Sequence, residues 1–285
     1  MARLTIFHET RYRYDRPVRF GQHRLMLRPR DSHAIRVIEA KLTLSPPGKT
    51  RWVYDALGNC VCLFAPDTPG RTLSIISRLV IERFPAPLTP DNPHTALPIS
   101  YAAEDRLLLA PFMAPATDDD DPRLLAWMTD QIGRPGEPAL DRLMRMTAAI
   151  HDGFDYRERY TEGVQSPAET LTLGGGACRD LAWLMIETLR RQGYAARFVS
   201  GYINGGSRKG GGATHAWVEV FLPDLGWTEF DPTNDLTESA DLIRVAVART
   251  PTGAAPVSGT IFGNPGPSDL DVTVTVSPEG TAATA

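Results

Sequence analysis

The stretch that decides the fold runs from residue 174 to residue 193 and reads GGGACRDLAWLMIETLRRQG. Its apolar side chains recur at the spacing of one helical face, at Leu181, Leu184, Met185 and Leu189. Gly193 is a typical stop signal after such a run. We therefore expect a helix over residues 178–192, with Cys178 in its first turn and three glycines shortly before it.

Cys178 is the first candidate for chemistry in this stretch. The unpaired amide groups and the positive dipole end of a helix N-terminus favour a thiolate over a thiol, and Arg179 adds a nearby cation. The thiolate is the nucleophilic form of cysteine. The alternative is an inert cysteine packed under the helix, which is the commoner situation for a single cysteine. The stretch alone leaves both interpretations open.

Two later residues bear on that choice. Residues 214–222 alternate polar and apolar side chains as a strand does, and LPDLG at 222–226 is typical of a hairpin connection. Pairing residue 221 with 227 places His215 and Asp231 on one face of adjacent strands. Asp231 can then accept a hydrogen bond from one ring nitrogen of His215, which leaves the other nitrogen for Cys178.

Each of these residues has a plainer interpretation. A histidine beside a tryptophan on a strand is usually structural, and an aspartate before Pro232 is often a turn residue. A zinc site is poorly supported, because His215 lies 37 residues after Cys178 and neither has a closely spaced second ligand. The order of helix, strand and strand nevertheless supplies a nucleophile, a base and an orienting carboxylate, which indicates acyl chemistry.

The remainder of the chain predicts an α+β fold. Strand-like runs separated by turn signals predict an N-terminal antiparallel β-sandwich over residues 1–90. We interpret residues 91–138 as a connecting segment with a short helix, and the stretch 85–98 at its start contains five prolines. The acidic run 118–121 is expected to be a solvated loop that caps this helix, with a calcium site as the alternative. Residues 139–277 form the expected core, with helices at 139–152 and after a capping box at 166–169. Its last part contains two strand-like runs, 242–248 and 270–276, and residues 278–285 are expected to fray.

Composition limits the partners and the compartment. The formal net charge of −4 argues against a nucleic-acid partner. We expect a cytoplasmic protein without membrane contact, since no apolar run approaches the length of a signal peptide or a membrane span. Cys60 and Cys62 lie two apart in a strand-like run, so their side chains share a face and are poorly placed to bond to each other.

At this point the sequence resembles the bacterial transglutaminase-like cysteine proteases. The resemblance lies in four blocks in the family's order: GACRDLA at 176–182, AARFVSGY at 195–202, THAWVEV at 214–220 and GWTEFDPT at 226–233. Ala177 departs slightly, since many members have valine there. The first ninety or so residues also resemble the β-sandwich that precedes this core in many bacterial members.

The resemblance implies a papain-like core that performs acyl transfer through a thioester, with Cys178, His215 and Asp231 as the triad. The substrate is expected to be a peptide or protein, with water or a primary amine as acceptor and no cofactor or metal. The Cys178 amide should form part of the oxyanion hole. Tyr156 and Gln165 are guesses for its second donor, while Asp180 and Trp217 are expected to support the site.

Two other functions stay open. One is a protein-binding module that keeps the core without activity, although the intact Cys–His–Asp set argues against it. The other is a calcium-activated crosslinker of the animal type, for which the sequence offers no clear calcium ligands. The sequence does not indicate the oligomeric state.

Overall fold

The computed structural model describes residues 2–84, 95–117, 121–159, 161–205 and 208–280. The N-terminal strands are β1 (Ala2–Leu25), β2 (Ile35–Ser45), β3 (Gly48–Tyr54), β4 (Cys60–Pro66) and β5 (Gly70–Arg83). The middle contains α1 (Ala103–Met113), α2 (Pro122–Asp130), α3 (Ala139–Gly153), β6 (Asp155–Tyr156), α4 (Pro167–Leu173), β7 (Gly175–Gly176) and α5 (Cys178–Arg191). The remaining strands are β8 (Ala196–Ile203), β9 (His215–Leu222), β10 (Gly226–Asp231), β11 (Leu236–Thr237), β12 (Leu242–Ala248), β13 (Val257–Phe262) and β14 (Ser268–Pro278).

The N-terminal strands form a curled antiparallel sheet built on β1. The register of β1 against β5 shifts between Arg13 and Val18, so its two halves have different neighbours. The first half lies between β5 and β14, and the second half lies between β4 and β13. Buried apolar side chains from both halves pack together: Val18, Phe20, Leu25, Cys62, Phe64, Leu73 and Ile75. The predicted β-sandwich is therefore present.

Strands β13 and β14 lie in this sheet and not in the core. The expectation that the core extends over all of residues 139–277 is therefore wrong for these two strands. Strand β14 pairs with β1 from Leu4 opposite Pro278 to Tyr14 opposite Ser268. The reason is that the edge of β1 left free by β5 needs a partner, and the C-terminal strands satisfy its amides and carbonyls. The amide of Glu279 also donates to the carbonyl of Arg3 at 3.1 Å, so the expected fraying does not begin at Pro278. Residues 281–285 of that expected tail lie outside the described residues.

The core is an antiparallel sheet in the order β11-β10-β9-β8-β12. Helix α5 packs on one face of this sheet, against alternate side chains of β9: Ala216, Val218, Val220 and Leu222. The predicted capping box opens α4, since Ser166 and Glu169 each bond to the other's backbone amide. The predicted helices at 139–152 and 178–192 are present as α3 and α5.

The opposite face of the core sheet is covered by the N-terminal sheet. Tyr202, Ile243 and Val245 of the core pack against buried side chains of β1 and β5: Leu4, Ile6, Leu79 and Ile81. Asn59 adds a polar link, because its amide group donates to the Val247 carbonyl at 2.8 Å and accepts from the Val247 amide at 2.9 Å. The core sheet is thus buried on both faces, which explains its nearly continuous apolar strands.

The connecting segment bears out one local expectation. Asp121 ends the acidic run and caps α2, accepting a hydrogen bond from the Arg123 amide at 2.8 Å, with Pro122 at the first helical position. Residues 118–120 and the proline-containing stretch 85–94 lie outside the described residues. Within the described ranges, no helix combines the length and apolar character needed to cross a membrane.

Candidate active site

Cys178 is the first residue of α5, and two short strands fix its approach. Strand β7 pairs in parallel with β6, so that Gly176 lies beside Tyr156. A Cβ on Gly176 would lie 2.7 Å from Gln165 Oε1 and 2.8 Å from the Asp180 Cβ, so only glycine fits this crowded position. Cys178 is 7% exposed and belongs to the apolar cluster under the helix. Its own amide lies in the first turn, where amides have no partner within the helix.

The hairpin of β9 and β10 brings His215 to Asp231. Trp227 pairs with Phe221, which is the predicted register. His215 Nε2 lies 2.8 Å from Asp231 Oδ2, and both side chains are buried. The other Asp231 oxygen, Oδ1, accepts the Thr233 amide at 2.9 Å. Asp231 is therefore held from both sides and in turn fixes the orientation of the imidazole.

The electrostatics of this pair favour the charged forms of both groups. Burial on its own lowers the pKa of His215, but the charge of Asp231 and its hydrogen bond outweigh burial and raise the pKa to about 10. Burial likewise raises the pKa of Asp231, but the His215 charge, with hydrogen bonds from His215, Asn234 and Thr233, brings the pKa below its usual value. His215 is thus an imidazolium at neutral pH.

The second ring nitrogen of His215 is available to the sulfur. Nδ1 is buried and makes no hydrogen bond of normal geometry to any of the described residues. Because Nε2 is occupied by Asp231, the interaction with Cys178, which also helps to raise the His215 pKa, falls to the Nδ1 side of the ring. The structure therefore brings Cys178, His215 and Asp231 together in the predicted order.

The remaining cysteines are in a different environment. Cys60 and Cys62 are free thiols buried in β4. Burial raises the pKa of Cys60, and it raises the pKa of Cys62 to about 11. Both are therefore held as thiols at neutral pH.

Asp180 supports the site through its hydrogen bonds. Its fully buried carboxylate accepts the amides of Gln165 at 2.8 Å and of Ala177 at 2.9 Å, and both oxygens lie 2.7 Å from Arg159 Nη1. The carboxylate therefore joins the residue before Cys178 to the segment that precedes α4. The supporting role that the resemblance implies for Asp180 stays a prediction.

The guanidinium of Arg179, which was expected as a cation near Cys178, is bonded to backbone groups. It donates to the backbone carbonyls of Arg159, Thr161 and Gly163. These carbonyls belong to the segment between β6 and α4. Arg179 therefore ties down that segment.

The other predicted support residues all lie near the triad. The Trp217 ring is fully buried and stacks on the His215 ring, with centroids 5.9 Å apart, while its Nε1 donates to Glu229 Oε1 at 3.2 Å. Gln165 packs on Gly176, and its Oε1 accepts the Thr170 hydroxyl at 3.1 Å. Tyr156 belongs to the short strand β6, where it pairs with Gly176, two residues before Cys178 in the chain.

Two site residues escaped sequence reasoning. Arg159 lies nineteen residues before Cys178 in a segment without periodicity, so no local pattern could connect it to Asp180. Asn234 donates from Nδ2 to Asp231 Oδ2 at 2.9 Å. Its position three residues after Asp231 in the turn DPTN was a usable signal, since asparagine in a turn commonly bonds to nearby groups.

Comparisons with known proteins agree with this architecture. Residues 4–82 match the bacterial transglutaminase-like N-terminal region, and residues 127–232 match the transglutaminase-like superfamily. An uncharacterized protein of Mycobacterium tuberculosis H37Rv, Rv2569c, is 32% identical, over 98% of this chain and 94% of its own length. The Mycobacterium leprae protein ML0607, also uncharacterized, is 28% identical, over 97% of this chain and 99% of its own length.

A solved structure supports the same fold. The crystal structure of "a Putative Cysteine Protease from Cytophaga hutchinsonii" superposes with a TM-score of 0.75, covering 99% of this chain and 92% of that chain. The two sequences are 20% identical, so the likeness concerns the fold. Taken with the sequence matches, these findings show that the chain belongs to the bacterial transglutaminase-like family, with the N-terminal region and the transglutaminase-like core in one polypeptide.

Proposed function

We propose that this protein is a cysteine-dependent enzyme that cleaves or transfers acyl groups at amide bonds of peptides or proteins through a thioester. The observation that carries the proposal is the His215–Asp231 pair, at 2.8 Å and fully buried, beside a cysteine at a helix N-terminus. A buried imidazolium next to a thiol is the arrangement that activates nucleophilic cysteines.

The first half of the reaction uses the charged pair. The Cys178 thiolate attacks the amide carbonyl carbon, and the carbonyl oxygen takes up the negative charge. As the C–N bond breaks, the His215 imidazolium gives its proton to the leaving amine, and the thioester forms. The raised pKa of His215 suits this step, because the ring is protonated when the substrate arrives.

The second half regenerates the pair. Neutral His215 accepts a proton from the attacking water or primary amine, which bonds to the thioester carbon. The C–S bond then breaks, and sulfur leaves as thiolate opposite the restored imidazolium. Asp231 keeps the ring oriented in both halves.

The oxyanion requires donors beside the sulfur. The Cys178 amide is one, since it lies in the unpaired first turn of α5. Tyr156 lies in the strand beside Gly176 and Gln165 packs on Gly176, and both stay the proposed candidates for the second donor. Because the Gln165 backbone amide is already bonded to Asp180, only its side-chain amide is a candidate donor.

The proposal is tested by incubating the protein with several glutamine-containing peptides, with and without methylamine, followed by mass analysis. Deamidation or cleavage in both arms identifies a hydrolase, and methylamine incorporation identifies a transglutaminase. Cys178→Ala is the control and should abolish either product. No change in any arm would reject the enzyme in favour of a binding module.

A second experiment addresses the thiol directly. Iodoacetamide at pH 7 should modify Cys178 at least about tenfold faster than Cys60 or Cys62, whose raised pKa values hold them as thiols. The substitution His215→Ala should slow Cys178 alone. Equal rates at the three cysteines would contradict an activated thiolate.

A further inference from the structure

The three proposed catalytic side chains are covered. Cys178 is 7% exposed, His215 is 1% exposed and Asp231 is fully buried. Formation of a thioester requires the carbonyl carbon of a peptide substrate to reach the sulfur. Some part of the protein that lies over the triad must therefore move before a substrate of that size binds.

One segment packed against His215 is 208–212, which we call the strap. Its central residue, Gly210, is buried and has a φ of +82°. A Cβ on Gly210 would lie 2.7 Å from His215 Nδ1 and 3.6 Å from the Tyr156 hydroxyl oxygen. The strap backbone thus lies against the ring nitrogen that is available to the sulfur, and glycine lets it come that close.

One side chain joins the strap to the triad. The amide nitrogen Nδ2 of Asn234 donates to the Lys209 carbonyl at 3.1 Å, and Asn234 Oδ1 accepts the Lys209 amide at 3.0 Å. The same Nδ2 donates to Asp231 Oδ2 at 2.9 Å. Asn234 is therefore hydrogen-bonded both to the strap and to the carboxylate that orients His215.

Two further contacts hold the ends of the strap. Arg208 forms an ion pair with Asp241 at 2.6 Å, and both side chains are about one-third exposed. The Gly212 carbonyl accepts the Val274 amide of β14 at 2.9 Å. Water can replace the partners in both of these contacts, because they are single polar contacts outside the packed core.

A groove lies beside the strap. It has a volume of about 620 Å³, and its lining includes Tyr156 and Lys209. Tyr156 borders both this groove and Gly210, and Lys209 is itself part of the strap. The groove and the strap therefore share Lys209, and Tyr156 lies at the boundary between the groove and Gly210.

We propose that Asn234 is a positioning residue that latches the strap over the triad, and that the acyl substrate binds only after Lys209 is released from Asn234. This proposal rests on the proposed function, since it assigns the strap to the acyl-binding side of His215. The Asn234–Lys209 bonds are the part of the latch closest to the triad.

The test compares two thiol reagents, iodoacetamide and the much larger fluorescein maleimide, by measuring their rates at Cys178. The thiolate is the nucleophile toward both reagents, so the ratio of their rates reports access to the sulfur and cancels its ionisation. The variants are Asn234→Ala, which removes the latch, and Arg208→Ala, which loosens the strap without touching Asp231. Asn264→Ala, in the exposed connection between β13 and β14, is the matched control.

We expect Asn234→Ala to raise the ratio of large-reagent to small-reagent rate about tenfold, since two hydrogen bonds to the strap are lost. Arg208→Ala should raise it by a smaller factor, and Asn264→Ala should leave it unchanged. Hydrogen exchange of peptides spanning 208–212 should accelerate in Asn234→Ala while that of α5 does not, which shows that the variant is folded.

The latch is overturned if the ratio and the exchange of the strap both stay at wild-type values in Asn234→Ala. It is also overturned if both reagents change by the same factor, because Asn234 would then act only through Asp231. Failure of the proposed function gives a different result: the wild-type protein would show iodoacetamide rates at Cys178 no higher than those at Cys60 and Cys62.

Discussion

Two buried histidines of this protein have opposite properties. His8 in β1 and His215 in β9 are each 1% exposed. Burial lowers the pKa of His8 to about 4, whereas the charge and hydrogen bond of Asp231 overcome burial and raise the pKa of His215 to about 10. At neutral pH the first ring is uncharged and the second is an imidazolium.

The difference lies in the partners. His8 bonds to two hydroxyls, of Tyr202 at 3.0 Å and Thr10 at 2.9 Å, and neither carries a charge. His215 bonds to a carboxylate. A hydroxyl satisfies a ring nitrogen without stabilising a proton on the ring, whereas a buried carboxylate stabilises that proton strongly. The same side chain therefore joins the two sheets in one place and serves as the proposed acid and base in the other.

The largest expected effect comes from removing the charged ring. His215→Ala should lower kcat/KM in the glutamine-peptide assay by at least about 10³-fold. The variant loses both the group that transfers the proton and the cation that stabilises the Cys178 thiolate. His8→Gln is the matched control and should keep activity within a few-fold. Comparable activity losses in the two variants would erase the distinction between the two histidines.

A smaller loss is expected when only the charge of the partner is removed. Asp231→Asn keeps a side chain of the same size but removes the charge that does most to raise the pKa of His215, so that pKa falls from about 10, with only the smaller contribution of Cys178 left to oppose burial. A smaller share of the His215 rings is then charged at pH 7 to 8, and activity should fall about 10²-fold, which is less than in His215→Ala.

The measurement for Asp231→Asn is an NMR titration of the His215 ring together with kcat at pH 7 to 8. A ring that stays protonated at pH 8 in the variant would show that Asp231 is not the source of its charge. The His8 signal serves as the internal control, since nothing near it is changed.

The third prediction concerns stability and pH. His8 binds a proton in the unfolded chain below pH 6.5 but in the folded protein only below about pH 4. Its contribution to the free energy of unfolding is therefore present above pH 6.5 and is lost as the pH falls toward 4, by about 3 kcal/mol. The free energy of unfolding, measured with urea at several pH values between 4 and 7, should change less steeply with pH in His8→Gln than in the wild-type protein. Equal slopes would contradict the lowered pKa.

The smallest effect is expected at the partner of His8. The Tyr202 hydroxyl bonds to His8 Nδ1 and donates to the Leu27 carbonyl at 3.2 Å, so Tyr202→Phe leaves buried groups unpaired. We expect a loss of about 1–2 kcal/mol in the free energy of unfolding, with activity unchanged. Tyr54→Phe, at a position 67% exposed, is the control and should change stability by less than about 0.5 kcal/mol. A similar loss in both variants would contradict a specific bond.

Sequence reasoning succeeded where a local period and a turn act together. The apolar spacing after residue 180 and the glycines before Cys178 predicted α5, and the short connection 222–226 predicted the pairing of 221 with 227. A strand register has a period of two, so one correct pair fixes the faces of all the others, including those of His215 and Asp231.

Sequence reasoning was less informative where two interacting residues or strands lie far apart in the chain. The run 270–276 was identified as strand-like, but its pairing with β1 depends on an edge formed more than 250 residues earlier. The hydrogen bond from Arg159 to Asp180 is a similar case, because no local sequence pattern at either residue indicates the other as its partner. Periodicity reports the surroundings of a residue and not which distant group supplies them.

The sequence by itself determined the helix that begins at Cys178, the hairpin that aligns His215 with Asp231, and the family to which these blocks belong. Only the tertiary structure decided that β13 and β14 join β1, that Arg159 pairs with Asp180, and that Gly210 lies against His215. The physical reason is range. Helix faces and hairpin registers follow from neighbouring residues, whereas edge pairing, buried ion pairs and coverage of a site depend on which surfaces meet when the whole chain packs.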